Sequence, residues 1–291
     1  MSIIKIKTPE SFSYRFTIRS HGWYDLAPFE LADDDRLSFV SRRGKNGEPV
    51  SVVVGPADGG LTVNVDAKDF DRDGVIRDVR HVLRLDEDFD EFYGFIEKTG
   101  HVLWVRKASA GRLLRGPTVW EDLVKTICTT NCSWSLTRSM VRNLVEKLGD
   151  ETAGGKRAFP TPAAMASMPE AFYRDEIRAG YRSPYFVELA QSVANGSVDP
   201  ESWLLSELPT PELKKAMKKV KGVGDYAAEN LLKLVGRYDG LALDSWLRSG
   251  FYKKHNGGKI CADKKIERHY RNFQEWRGLA IWCDMTESWF S

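Results

Sequence analysis

The fold of this chain is decided by residues 210–251, TPELKKAMKKVKGVGDYAAENLLKLVGRYDGLALDSWLRSGF. Apolar residues recur at helical spacing on both sides of Gly222-Val223-Gly224, where two glycines permit a tight turn with exposed backbone amides. The pattern therefore predicts two helices joined by a hairpin over residues 210–235, with Asp225 capping the second helix.

Five lysines surround the predicted hairpin within eight residues. They are Lys214, Lys215, Lys218, Lys219 and Lys221. Amides at a turn that opens a helix favour an anion, and lysines neutralise phosphates without reading sequence. The segment therefore indicates a contact with a nucleic acid backbone. The alternative interpretation is a solvated helix face that ends in a glycine cap.

An acidic residue follows the hairpin in an apolar setting. Asp244 lies twenty residues after Gly224, in the sequence LALDSWL. An Asp at this place predicts a helix N-cap. A cap can also be a catalyst, because a carboxylate held rigidly among apolar residues is partly desolvated.

The remaining sequence predicts an α+β protein. From Ser11 to about Val82, short alternating apolar runs, at 13–19, 36–54 and 59–65, favour antiparallel strands, with a type I′ turn at Asn46-Gly47. One helix is expected over 86–100, and residues 103–117 are expected to form a linker or crossover. From Thr118 onward, where TVWE has the pattern of a capping box, helix follows helix. We expect a small antiparallel β-rich domain over 1–105 followed by a larger all-α domain over 106–291.

Composition and charge narrow the possible partners. The chain has 291 residues, 42% hydrophobic and 29% charged, which is typical of a globular protein. Residues 1–105 carry 14 Lys and Arg against 19 Asp and Glu, whereas residues 106–291 carry 29 against 22. A polyanion is therefore expected to bind the second part.

Several sites and locations are not expected from the sequence. No apolar run is long enough for a membrane, and the first residues do not have the pattern of a signal peptide. We expect a cytoplasmic protein, associated with the nucleoid if bacterial. The four cysteines, Cys128, Cys132, Cys261 and Cys283, contain no CxxC pair, so neither a disulfide scaffold nor a metal site is predicted.

The hairpin, its second helix and the following Asp resemble the helix-hairpin-helix DNA glycosylases. The likeness extends to residues 111–132, 159–168 and 177–190, which follow one another in the order and spacing of the 8-oxoguanine DNA glycosylase branch. The N-terminal strands also resemble that branch's β-domain. The resemblance implies a monomeric base excision repair enzyme that binds double-stranded DNA and extrudes a damaged nucleotide, because the glycosidic bond is out of reach inside a duplex.

The resemblance also implies roles for individual residues. Asp244 matches the catalytic aspartate, which stabilises the oxocarbenium-like sugar and can orient a water. Asn131 matches a residue that fills the gap left by the extruded nucleotide. Tyr181 matches an aromatic wedge, and Arg182 matches a residue that contacts the orphaned base. The phosphate-binding group comprises Gly222, Val223 and Gly224 with Lys219 and Lys221, in the family often together with a monovalent cation. Alternatively, Asn131 caps or breaks a helix, Tyr181 lies in the core and Arg182 contacts a phosphate.

Two departures from the family bear on the chemistry. Tyr226 stands where bifunctional members carry the lysine that forms a Schiff base, and a phenol cannot form an imine. We therefore expect water to be the nucleophile, with no lyase activity. The base pocket also differs, since Asn230 stands where the 8-oxoguanine enzymes place a cysteine. The iron-sulfur loop of the endonuclease III branch is absent from the sequence, and no cofactor is expected.

The lesion is expected to be a purine held by aromatic walls. Tyr226 is similar to the aromatic residue of the 3-methyladenine branch, and Trp246, Trp276 and Trp282 are further candidate walls. A cationic alkylated purine would gain about 0.5–2 kcal/mol on such walls. The alternatives are an oxidised purine and a non-catalytic DNA-binding protein. His21 and Trp23 could also belong to the pocket, although a structural histidine is the preferred interpretation.

Overall fold

The N-terminal part of the chain forms one antiparallel sheet. A computed structural model describes residues 2–290. The sheet has five strands in the order β1-β5-β4-β3-β2. The strands are β1 (Ser2–Lys7), β2 (Glu30–Leu31), β3 (Leu37–Ser41), β4 (Val50–Ala57) and β5 (Gly60–Val65). This antiparallel sheet, with helices following it, confirms the predicted fold class.

Fourteen α-helices, together with six short 3₁₀ helices, make up most of the rest of the described chain. They are α1 (Tyr14–Ile18), α2 (Arg72–Val82), α3 (Asp90–Thr99), α4 (Leu103–Lys107), α5 (Val119–Thr129), α6 (Trp134–Leu148), α7 (Pro162–Ala166), α8 (Glu170–Asp175), α9 (Ser183–Ala194), α10 (Thr210–Met217), α11 (Asp225–Leu234), α12 (Ser245–His255), α13 (Asp263–Tyr270) and α14 (Arg277–Thr286). Within residues 2–290, no helix combines the length and the apolar character needed to cross a membrane.

The sheet follows the alternation of its sequence. Val65 pairs with Val52 and Val63 with Val54, and all four side chains are buried. The predicted positive φ angles occur at Asn46-Gly47, where φ is 55° and 80°. That turn lies within a longer loop between β3 and β4, so the strands are not joined by a two-residue hairpin.

Two predictions for the N-terminal region are wrong. Residues 13–19 were expected to form a strand, but α1 occupies them, with Thr17 Oγ1 donating to the carbonyl of Ser13 at 2.8 Å. The sheet edge next to β5 is instead taken by β1, whose register runs from Ser2 opposite Val65. Residues 72–82, within the region expected to be strands, form α2 because Asp71 caps the helix and accepts from the amide of Gly74.

Two hydrophobic clusters form the core. One joins the sheet and α2 to residues 114–235, and the other joins residues 89–113 to residues 238–285. Each cluster therefore contains residues from both sides of position 105. The boundary between residues 1–105 and 106–291 stays a prediction.

Buried arginines fix the end of α11. Arg84, which is fully buried, donates to the carbonyl oxygens of Lys233 and Leu234 at 2.6 Å each. Arg115 donates to the carbonyl of Leu234 at 3.1 Å, and both guanidiniums pair with Glu87. Cations at a helix C-terminus complement its dipole, so these contacts hold α11 against the N-terminal part of the chain.

Candidate active site

The predicted hairpin is present between α10 and α11. Gly222 has φ +91°, and a Cβ there would lie 2.9 Å from the ring of Tyr185. Contrary to the prediction, Gly224 rather than Asp225 is the N-cap of α11. Asp225 lies in the first turn, where its carboxylate pairs with Lys214 at 3.1 Å and Lys218 at 3.0 Å. The amides at the start of α11 therefore have no side-chain cap within the described chain.

The lysines around the hairpin fall into two groups. Lys221 pairs with Glu188 at 3.0 Å, while Lys214 and Lys218 are held by Asp225. Lys215 and Lys219 are exposed, and neither has an ion pair within residues 2–290. These two ammonium groups are thus the ones available to an external anion.

Asp244 is the N-cap of α12, as predicted. Its Oδ1 accepts from the amide of Leu247 at 2.7 Å. The loop before it is held by Glu229 of α11, whose carboxylate accepts from the amide of Ala242 and from Lys214 at 2.6 Å. No hydrogen bond from another described residue reaches Asp244 Oδ2. One carboxylate oxygen is therefore fixed and the other is free for a ligand.

Asp244 lies on the wall of a cavity of about 700 Å³. The cavity is built from segments that are distant in sequence. They are residues 21–24, Leu113, the end of α5 with the start of α6, one side of α11, and α12 with the C-terminal residues. Its aromatic lining consists of His21, Trp23, Tyr24, Trp134, Tyr226, Trp246, Trp282 and Trp289. An aromatic cavity with a carboxylate at its wall suits a flat heterocycle attached to a reacting centre.

Four residues predicted for the base pocket line this cavity, namely Tyr226, Asn230, Trp246 and Trp282. Trp246 lies 5.9 Å from Trp282 between ring centroids, and Asn230 donates to the carbonyl of Tyr226 at 2.9 Å. Burial, together with the negative charge of Asp244, raises the pKa of Tyr226 to about 12. The phenol of Tyr226 is thus protonated at neutral pH.

Trp276, another predicted wall, does not line the cavity. Its ring stacks on Tyr238 with centroids 5.0 Å apart and on Phe92 at 5.4 Å. Its Nε1 donates to Glu91 at 2.8 Å. The prediction is wrong because Trp276 belongs to the second hydrophobic cluster.

The N-terminal segment does contribute to the cavity. His21 is buried and lines it, while its Nε2 lies 2.5 Å from the carbonyl oxygen of Leu114. Burial lowers the pKa of His21 to about 4, so the imidazole is neutral. Trp23 donates through Nε1 to Asp122 at 2.6 Å. His21 is thus both structural and part of the lining, which combines the two interpretations of the sequence.

Asn131 and Tyr181 lie beside the cavity. Asn131 is exposed with φ +46°, between Thr129 and Cys132, which both line the cavity. Tyr181 is 50% exposed, and its hydroxyl donates to the carbonyl of Thr130 at 3.3 Å. Tyr181, which belongs to the turn at 180–182, therefore lies against the loop that carries Asn131, and both residues are exposed.

Arg182 is buried and hydrogen-bonded to the residues that precede Asn131. Only 3% of the residue is exposed, and its Nε donates to the carbonyl of Ile127 at 3.1 Å. Its Nη2 donates to the carbonyl of Thr130, and its guanidinium lies 4.5 Å from the ring of Tyr181. This geometry makes Arg182 a support for the loop that carries Asn131, and its contact to the orphaned base stays a prediction.

Sequence reasoning missed several lining residues. The most notable are Lys233, Thr126, Trp134 and Trp289. The helical period of α11 places Lys233 seven residues after Tyr226 on nearly the same face, a signal that was available in the sequence. No local signal marks Trp289, which meets Trp246 at 5.5 Å only through the tertiary fold.

Known structures share this architecture. The chain is similar to a 3-methyladenine DNA glycosylase from Archaeoglobus fulgidus, with a TM-score of 0.77 and 20% identity over 100% of this chain and 99% of that one. It is also similar to the Clostridium acetobutylicum 8-oxoguanine glycosylase/lyase in complex with double-stranded DNA, with a TM-score of 0.74 and 16% identity over 99% and 98%. A third structure, MBOgg1 with a low-affinity DNA ligand, gives a TM-score of 0.76 and 18% identity over 98% and 95%.

These likenesses establish the fold. No family model matches this sequence, and no curated protein matches it either. At 16–20% identity, the shared architecture spans nearly the whole of each chain. The chain has the fold of the helix-hairpin-helix DNA glycosylases, which confirms the resemblance at the level of the fold.

Proposed function

We propose that this chain is a monofunctional DNA glycosylase that hydrolyses the N-glycosidic bond of a damaged purine in base excision repair. The observation that carries the proposal is the free oxygen of Asp244 at the wall of an aromatic cavity. A negative charge fixed there would stabilise the positive charge that develops on the sugar as the base leaves.

The surrounding groups fit the binding of a DNA backbone. The uncapped amides after Gly224, together with Lys215 and Lys219, can hold a phosphate near the cavity. Asn131 and Tyr181 stand at the adjacent loop, where side chains can enter the duplex and offset the unstacking of an extruded nucleotide. The base would then lie among Tyr226, the tryptophans and Asn230.

Water is the proposed nucleophile. Tyr226 cannot form an imine, and its raised pKa keeps the phenol protonated. No organic cofactor is needed for this hydrolysis. A monovalent cation at the hairpin, which the family resemblance implies, would use main-chain carbonyl oxygens of residues 220–224, because the carboxylate of Asp225 is already paired with Lys214 and Lys218.

The test is the release of damaged bases by wild type and by Asp244→Asn. The amide oxygen of Asn can still accept from the amide of Leu247, so the cap is retained and only the charge is removed. We expect the single-turnover rate to fall on the order of 100-fold or more with an unchanged melting temperature. Equal rates for the two proteins would refute the assigned role.

Two further measurements separate the alternatives. Borohydride trapping on an abasic site should give no adduct, and a covalent adduct would show that an amine acts as nucleophile. A protein that binds damaged duplexes but releases none of the bases in a lesion panel would be a non-catalytic DNA-binding protein.

For the lesion itself, the aromatic walls fit both alkylated and oxidised purines, and the alkylated purine favoured by the sequence stays a prediction.

A further inference from the structure

A lysine is buried in the cavity without an ion pair. Lys233 is 2% exposed, and its Nζ has one hydrogen bond, to the carbonyl of Leu241 at 3.4 Å. No ion pair to Lys233 exists within residues 2–290, and the nearest ring in cation–π range is Trp282 at 5.9 Å. An ammonium group has three donors, so at least two lack a partner in the described chain.

A second buried donor lines the same cavity. Thr126 of α5 is 1% exposed, and its Oγ1 has no hydrogen-bond partner in the described chain. Buried hydroxyl groups nearly always have a partner. Two unsatisfied donors from different helices thus line one cavity, which is the arrangement expected where a ligand supplies the acceptor.

Lys233 lies at the inner end of this cavity. Tyr226, Asn230 and Lys233 follow one another at helical spacing along α11, and all three line the cavity. Seven residues of helix rise about 10 Å. Tyr226 at one end is 36% exposed, whereas Lys233 at the other end is 2% exposed. A nucleotide that enters past Tyr226 with its sugar at Asp244 would therefore direct its base toward Lys233.

The position of Lys233 is fixed. Arg84 and Arg115 hold the carbonyl oxygens at the end of α11, and Arg84 bonds to that of Lys233 itself. The backbone therefore cannot shift to bring the ammonium group into solvent. An anchored, desolvated cation in an aromatic cavity attracts an electron-rich acceptor and repels a second cation.

We propose that Lys233 and Thr126 form the donor floor of the base pocket, so that the site takes an uncharged damaged base with a carbonyl oxygen, an oxopurine, rather than a cationic alkylated base. This inference rests on the proposed glycosylase function. It names the lesion class of the same site and favours the oxidised or deaminated purine over the alkylated purine.

The test compares base release from four duplexes under single-turnover conditions. Hypoxanthine and 8-oxoguanine are neutral bases that carry carbonyl oxygens. 3-Methyladenine has no carbonyl oxygen, and its nucleotide in DNA is positively charged. Adenine is the undamaged control. We expect wild type to release at least one of the two oxopurines faster than 3-methyladenine. Lys233→Met should lower oxopurine release 10- to 100-fold, as for a lost charge-assisted hydrogen bond. It should raise 3-methyladenine release, because the ammonium group that repels the cationic base is removed.

Thr126→Val is the second variant, because it removes only the hydroxyl from a side chain of equal shape. We expect a fall of about 3- to 10-fold for the oxopurine alone. Two results would refute the proposed donor floor without refuting the glycosylase function. They are equal effects of both variants on all lesions, and faster release of 3-methyladenine than of either oxopurine by wild type. Release of no base from any duplex by wild type would instead refute the proposed function.

Discussion

Replacing Lys233 by Met is expected to make the protein more stable. The substitution keeps a long, unbranched side chain and removes a buried charge that lacks an ion pair within the described residues. The buried charge of Lys233 is expected to lower the free energy of unfolding, and it places an ammonium group inside the cavity. If Lys233→Met is more stable but releases the oxopurine more slowly, Lys233 contributes to activity and not to stability.

The magnitude follows from the pKa of the lysine. Burial lowers the pKa of Lys233 from 10.5 to about 8, although the acidic groups Glu229 and Asp244 and the thiol of Cys283 act in the opposite direction. A folded-state pKa below the unfolded value means that the folded protein holds the proton less tightly. At pH 7 the penalty is about 3 kcal/mol. The lost hydrogen bond to Leu241 offsets about 1 kcal/mol, so a net gain of about 2 kcal/mol is expected.

The penalty has a defined pH window. It is fully present below pH 8, decreases between pH 8 and 10.5, and is absent above the unfolded value of 10.5. The stability difference between Lys233→Met and wild type should therefore shrink as the pH rises through this window. Below pH 8 the difference should be constant.

Urea denaturation at pH 7 and at pH 10.5 measures the effect. The matched control is Lys219→Met, an exposed lysine without an ion pair in the described chain, whose stability change should stay within about 0.5 kcal/mol at both pH values. An unchanged or lower stability of Lys233→Met at pH 7, or a difference that persists at pH 10.5, would refute the idea of a buried, destabilising charge.

Three other perturbations test the remaining site residues. Tyr226→Lys should create a covalent borohydride-trapped adduct on an abasic site that wild type does not form, because the amine then stands at the position of the family's lyase lysine. Lys219→Met should weaken binding to undamaged and damaged duplex alike and reduce the slope of log affinity against log salt by about 1, and an unchanged slope would exclude a phosphate contact. Arg182→Met should lower the free energy of unfolding by about 2 kcal/mol or more, since Ile127 and Thr130 lose their donor, and an unchanged stability measured by urea denaturation would exclude the supporting role.

Local patterns in the sequence were sufficient to predict the hairpin after α10 and the N-cap of α12. Gly222 has a positive φ, which favours glycine. Asp244 precedes a helix and accepts a hydrogen bond from the amide of Leu247 in its first turn. Both features therefore depend only on neighbouring residues. Residues 13–19 show the limit of such reasoning, because an alternating pattern over five to seven residues also fits a short helix. The tertiary contacts decide between the two, and here Tyr14 donates to the carbonyl of Val54 from α1.

The sequence by itself determined the hairpin over 210–235 and the helix cap at Asp244, because each is encoded by residues close in the chain. Only the tertiary structure decided what surrounds that carboxylate. Trp23, Thr126, Lys233 and Trp289 come from four separate segments, and no spacing rule relates them. The burial of Lys233 likewise depends on helices packing around it, since desolvation is a property of the assembled cavity rather than of any local sequence.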